Sequence, residues 1–325
     1  MSSQKITGTL QKINYYLERL LPITTPLSIV IGFLLSSFFI QLRPLVPWLF
    51  GLITFSGVLK LKAAELGAAI RSPLPIILCF AAAHVLMPVI AMFVSSVFFI
   101  NPDIVAGFIL LFSGPTAISG FIWVSILRGD IALCLTFILL DTLLAPLVVP
   151  GSVSILMGAK VAMDMGGIAI SLLFMIVIPT IIGVTINETS KGKLSAFICP
   201  YLDILAKISL MTVIATNASI IAPGVRIDDP LMWKIAALVI ALIIFSFFLM
   251  KLVAVLGKCR PPKDIAMIIS GALRNNTAVM TIAVAFFPEA VVLPALLSII
   301  FQQSIAAIMG RFFTRQNKEN KDGKK

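Results

Sequence analysis

Charge is what this chain has least of. Of its 325 residues only 12% are Asp, Glu, Lys or Arg, while 59% are hydrophobic, and the mean hydropathy is +1.09. A soluble domain carries roughly 25% charged residues, so this sequence cannot cover a water-facing body of its size. A soluble enzyme is excluded on that ground. Histidine occurs once, at His84, and the four cysteines (Cys79, Cys134, Cys199, Cys259) lack metal-ligand spacing and read as packing residues. A phosphate loop, an HExxH pair and a serine nucleophile elbow are all missing. No enzymatic activity, cofactor or metal is expected.

What the sequence has in excess is uncharged length. Residues 73–102, 104–127, 165–187 and 290–310 contain no Asp, Glu, Lys or Arg, and each reaches the roughly 20 residues that cross a bilayer as a helix. Hydropathy and breakers give about ten spans: 24–42, 45–60, 74–99, 104–127, 131–158, 164–187, 199–222, 232–256, 264–286 and 290–312. All are expected to be helical, because lipid offers backbone groups no partner. The fold class expected is an all-α polytopic membrane protein. Residues 1–22 read as an amphipathic cytoplasmic segment, 23–312 as one ten-helix domain with halves at about 23–158 and 164–312, and 313–325 as a basic, disordered cytoplasmic tail.

The net charge of +11 is unevenly placed. Alternating the ten spans puts eighteen Lys and Arg residues on the side of the termini, against Arg43, Lys160 and Arg226 in the opposite loops. Both termini are therefore expected in the cytoplasm, with the protein in the cell membrane. The basic loops suit anionic lipid headgroups rather than nucleic acid.

Two segments break the apolar pattern in mid-span. The fourth span contains Ser113-Gly114-Pro115-Thr116-Ala117-Ile118-Ser119-Gly120, and the ninth contains Ser270-Gly271-Ala272-Leu273-Arg274-Asn275-Asn276-Thr277. Each is the fourth member of a group of five, and an odd group repeats upside down. Paired broken helices at corresponding positions of two inverted halves point to a secondary-transporter binding site. Gly114, Pro115, Gly120 and Gly271 are the expected helix breaks; a proline kink beside a packed polar patch is the plainer alternative.

Arg274 and Asp141 are charges deep in apolar spans, each costing on the order of 3 kcal/mol or more if left alone. They could form an ion pair, or Arg274 could bind a substrate anion while Asp141 exchanges a proton. Asn275, Asn276, Thr116, Ser119 and Asn217 are candidate substrate-binding groups, with helix packing as the other reading for Asn217. His84 is a candidate proton relay or a neutral packing histidine.

These segments resemble those of the bile acid:sodium symporter family, on Pro115 followed by Gly129-Asp130, Thr142-Leu143-Leu144-Ala145-Pro146 with Pro150, Ala215-Thr216-Asn217-Ala218, and the Asn275/Asn276 region followed by Pro294-Ala295-Leu296. The resemblance covers about residues 24–312. It implies ten helices in two inverted five-helix repeats, crossing discontinuous helices four and nine, and alternating access by one bundle moving against another. The family's sodium ligands do not carry over: their positions fall on Gly120, Phe121, Cys134 and Ile138, and on Ser270 or Gly271. That argues against sodium coupling and leaves a carrier that is uncoupled or proton-coupled through Asp141 or His84, with the Arg274 guanidinium as a built-in cation. The related arsenite-efflux branch has a cysteine after the proline, where Thr116 stands here. The expected function is secondary active transport of a small organic anion. Arsenite-type efflux, or a non-transporting channel or sensor, are the alternatives.

Overall fold

The structure is a computed structural model that describes residues 2–59, 73–158, 164–224 and 228–322. The loop cations Lys60, Lys62, Arg71, Lys160, Arg226, Lys324 and Lys325 lie outside the described residues. Among those described, the chain is helical throughout and forms no strand. The helices are α1 (Ser2–Leu34), α2 (Ser36–Val58), α3 (Pro73–Phe98), α4 (Pro102–Ser113), α5 (Gly120–Ile126) and α6 (Ile131–Met157). They continue with α7 (Met165–Thr189), α8 (Lys193–Gly224), α9 (Pro230–Leu256), α10 (Lys263–Ala272), α11 (Asn276–Phe286) and α12 (Glu289–Asp322). Seven of them (α2, α3, α6, α7, α8, α9 and α12 as far as Arg315) are long and apolar enough to cross a membrane; α4, α11 and the Ile23–Leu34 part of α1 are shorter apolar helices.

Helix starts follow local chemistry. Asn101, Asp130, Asp229 and Asn275 precede α4, α6, α9 and α11, and each side chain accepts a backbone N–H of the first turn, at 2.9, 3.0, 2.8 and 3.2 Å. This satisfies donors that no helical carbonyl can reach. Pro102 and Pro230 then open α4 and α9, where a missing N–H costs nothing. Inside α3 and α7 the turns Ala82–Leu86 and Leu173–Val177 are π-helical, and each is followed two residues later by a proline, Pro88 or Pro179. The ring cannot donate to the preceding turn and crowds its carbonyl; the wider π turn accommodates both effects.

Two expectations need correction. The first two spans do not meet at Arg43-Pro44: α1 ends at Leu34, and Ile40–Leu45 is a 3-10 stretch inside α2. The proline is absorbed by tightening the turn rather than ending the helix. The tail does not become coil after Arg311, since α12 runs to Asp322; residues such as Lys, Glu and Gln extend a helix that the apolar part has already nucleated. Residues 2–22 are helical and lead without a break into the first apolar stretch, as the first part of α1.

The chain divides into two compact units, each discontinuous in sequence. One comprises Met1–Ala63 and Ile170–Val225, and its centre is α8 with α1 and α2 against it. Gly32 of α1 lies directly on the backbone of Ala215, so a Cβ there would strike the Ala215 carbonyl. At the other end Lys207 donates to Asn14 Oδ1 at 2.8 Å, Asn14 donates to the Pro200 carbonyl at 3.2 Å, and Ser56 donates to Asp203 at 3.2 Å. The second unit comprises Ala64–Ala169 and Arg226–Lys325. There α4 is packed by α3, α6 and α12, and α9 by α10 and α12.

Candidate site at the paired helix breaks

Both interruptions are present, and both lie in the second unit. Pro115 disfavours a helical Gly114, which is extended (φ −58°, ψ 153°) and caps α4; α5 begins six residues later at Gly120. Leu273 is likewise extended (φ −86°, ψ 124°) and ends α10, and Asn275 caps α11 three residues after Ala272. Of the expected breakers, Gly271 needs correction. It lies inside the last turn of α10, where it gives room to Met250 and Cys79 rather than ending the helix.

The two links run antiparallel and pair with each other. Thr116 faces Arg274 in a single β-bridge, the Ala117 N–H donates to the Leu273 carbonyl at 3.1 Å, and the Asn275 N–H donates to the Pro115 carbonyl at 2.7 Å. Each break thus supplies the partners the other has lost, the condition for irregular backbone inside an apolar bundle. Gln302 of α12 holds the remaining groups: its Oε1 accepts the Arg274 N–H at 3.1 Å, and its Nε2 donates to the Arg274 carbonyl at 2.8 Å. The Thr116 hydroxyl donates to the Ser270 carbonyl at 3.0 Å, and Asn276 Nδ2 donates to Ser298 Oγ at 2.7 Å.

The Arg274 side chain is 1% exposed. Its Nη1 donates to the Gly114 carbonyl at 3.3 Å, and its Nη2 donates to the Ala83 carbonyl at 2.9 Å and the Gly271 carbonyl at 3.0 Å. Gly114 and Gly271 stand at the C-terminal ends of α4 and α10, the negative ends of their dipoles, and Ala83 belongs to the π turn of α3. The guanidinium is thus enclosed by backbone oxygens rather than by an open chamber. Asp141 is not its direct partner. Asp141 Oδ1 lies 2.7 Å from His84 Nε2, and Oδ2 accepts the Thr116 N–H at 2.6 Å. The Phe80 ring covers the imidazole, with centroids 4.5 Å apart.

Arg274, Thr116, Asn276, Asp141 and His84 therefore converge, and all are buried. Ser119 and Asn275 sit half-buried at the last positions of the two links. Asn217 is buried in α8, in the other unit. Sequence reasoning offers Gln302 only as a weak candidate for helix packing or cavity lining, and does not place Ser298 or the Ala83 carbonyl in the site. Gln302 carried a signal, as an amide in an apolar span. Ala83 carried only an indirect one, the proline five residues on. None of the four cysteines forms a disulfide, and Cys79 Sγ donates to the Met267 carbonyl at 3.6 Å.

An all-helical chain with several bilayer-length apolar helices, whose two interrupted helices pair at their breaks, is built as a multi-pass membrane transporter. The profile described as "Sodium Bile acid symporter family" matches residues 46–223. Among relatives, the chain is 36% identical over 296 residues to YbaS of Bacillus subtilis (strain 168), covering 91% of this chain and 97% of that protein. It is 21% identical over 320 residues, 97% of each chain, to the sodium-dependent transporter YocS of the same organism. It is 28% identical over 188 residues to the probable sodium/metabolite cotransporter BASS1, chloroplastic, of Arabidopsis thaliana, covering 57% of this chain and 46% of that one. The chain belongs to the sodium bile acid symporter family.

Proposed function

We propose that this protein is a secondary carrier of a small organic anion that works by alternating access in the cell membrane. The observation that carries the reading is the antiparallel pairing of the two links at Thr116 and Arg274. A bundle built only to be rigid gains nothing from two interrupted helices, whereas a carrier gains exposed half-helix ends and a fixed charge at one depth. The ten-segment arrangement in two inverted halves is supported by the composition of the units. The first takes the first two segments of each expected half, and the second takes the last three. The two units are the proposed moving bodies.

Roles follow from exposure. Asn275 and Ser119, half-buried on the links, are the proposed substrate-contacting groups. Arg274 supplies positive potential from within, because its Nη1 and Nη2 groups donate to the carbonyls of Gly114, Ala83 and Gly271. Thr116 and Asn276 hold the crossing. The arsenite reading gains no support, since the position after Pro115 is a hydroxyl already donated to Ser270.

The test is uptake of radiolabelled taurocholate, pantoate and pyruvate by proteoliposomes of the full chain. Saturable uptake with counterflow is expected for at least one of them. Non-saturable conductance would indicate a channel, and no flux with any of them would remove the organic-anion assignment.

A further inference from the structure

We infer that the coupling cation of this carrier is a proton held by the His84–Asp141 pair, because the backbone oxygens gathered at the two breaks are taken by the chain's own guanidinium. The inference rests on the carrier reading above and names its coupling ion.

The cage is the set of carbonyls of Gly114, Gly271 and Ala83, each within 3.3 Å of an Arg274 nitrogen. Carbonyls at the C-terminal ends of broken half-helices are where transporters hold sodium, and a hard cation needs several such oxygens at once. Here all three are spent on a cation tethered through its own backbone, which Gln302 clamps on both sides. A free cation entering beside it would meet like charge with little screening. The donor set therefore does not fit sodium.

The proton has a place of its own. Asp141 Oδ1 lies 2.7 Å from His84 Nε2, and a neutral ring can donate to it only as the tautomer with its proton on Nε2. His84 Nδ1 is buried and has no hydrogen-bond partner. An incoming H⁺ binds the Nδ1 lone pair and no bond breaks. The ionisable groups beside the pair are Arg274, an electrostatic neighbour of Asp141, and the thiol of Cys79 on α3, which neighbours both. Across α9 and α10, Lys251 and Asp264 neutralise each other at 3.1 Å, and the buried length of α4 carries no ionisable side chain. With that thiol neutral, Arg274 cancels Asp141, and the resting cluster has zero net charge. A monoanionic substrate alone would leave it at −1 in an apolar surround; a proton on His84 restores zero. One proton per monoanion is the electroneutral cycle. Asp141 Oδ2 also holds the Thr116 N–H of the bridge, so the proton acts on the link that the substrate would touch.

The experiment uses the full chain and exploits its single histidine. With histidine labelled in ¹⁵N, the protein has one imidazole to observe by NMR. Its resonances are expected to be the same in sodium and in choline chloride, and to move in Asp141→Asn, which removes the carboxylate beside Nε2. In proteoliposomes loaded with the probe anions above, an inward gradient of one pH unit should raise accumulation by up to about tenfold, with sodium replaceable by choline. The thermal midpoint of the wild type should not depend on sodium, whereas Arg274→Ala, with its cage vacated, should gain sodium-dependent stabilisation. Three results would overturn the proposal: imidazole resonances that change when sodium replaces choline, sodium-driven uptake, or a sodium-dependent midpoint in the wild type. The absence of any flux would count against the carrier reading instead, and the NMR and wild-type midpoint arms still decide the cation. If Arg274→Ala does not fold, the wild-type arms stand alone.

Discussion

A guanidinium in the middle of an apolar bundle is stable only while every neighbour does its part, and Gln302 is the neighbour that the rest of the site depends on. It is bonded to both the N–H and the carbonyl of Arg274, at 3.1 and 2.8 Å. Gln302→Leu would leave two buried backbone groups unpaired, each costing about 1–3 kcal/mol, so a loss of about 2–6 kcal/mol and a clear drop in thermal midpoint are expected in detergent-purified protein. Gln303, one residue on, bonds the half-buried Trp123 Nε1 at 2.9 Å, and Gln303→Leu should cost about 1 kcal/mol or less. Equal losses in the two variants would show that the clamp is not what holds the link. At this scale the sequence was informative about depth and silent about direction. Arg274, Asp141 and His84 stand out because charge or titratable nitrogen is rare in apolar spans. Which of them meet is set by helix rotation, which no residue spacing records across segments more than fifty positions apart. Hence the ion pair that hydropathy suggests, Arg274 with Asp141, is replaced by His84 with Asp141 and Arg274 with carbonyls.

Elements show the same division. Gly-Pro and Arg-Asn-Asn inside apolar runs announce two interruptions, and both were legible. The π turn of α3 was not, because it has no composition of its own, only Pro88 beyond it. That turn yields a testable consequence. Replacing a mid-helix proline by alanine ordinarily stabilises a helix, by up to about 3 kcal/mol. Pro88→Ala should do the opposite here, since a regular helix would withdraw the Ala83 carbonyl from Arg274. A lower thermal midpoint is expected, and a higher one would mean that the bulge does not serve the guanidinium. The closeness of the half-helices gives a second. A Cβ at Gly114 would overlap the Val279 side chain of α11, so Gly114→Ala should cost about 1–3 kcal/mol. Val279→Ala removes the obstructing methyls, and the double variant should lose less than the sum of the single losses. Strict additivity would place the strain elsewhere. The junction of α1 and α2 and the helical tail were misread for one reason: a proline or a charge run was taken to end a helix that its neighbours carry through.

The whole molecule was the least legible level, because the units are assembled from segments far apart in sequence. Gly32 against Ala215 joins α1 to α8, and nothing local to either residue indicates it. Topology across the bilayer is different, since it depends on counts rather than contacts. With ten crossings, eighteen Lys and Arg residues fall on the side of the termini and Arg43, Lys160 and Arg226 on the other. Each cation near a span end biases insertion, so a difference of this size is the ground for proposing that both termini face the cytoplasm. Only an odd number of crossings would reverse one end, and the two interrupted helices are where an odd count could arise, because α4 and α11 are themselves shorter than a bilayer-length helix. A fluorescent-protein fusion at the C-terminus should therefore be bright and an alkaline phosphatase fusion there inactive, with the same pair of results at the N-terminus. Opposite results at the two ends would mean that one interrupted pair turns back instead of crossing. That would remove the inverted repeat while leaving the bridge between Thr116 and Arg274 in place.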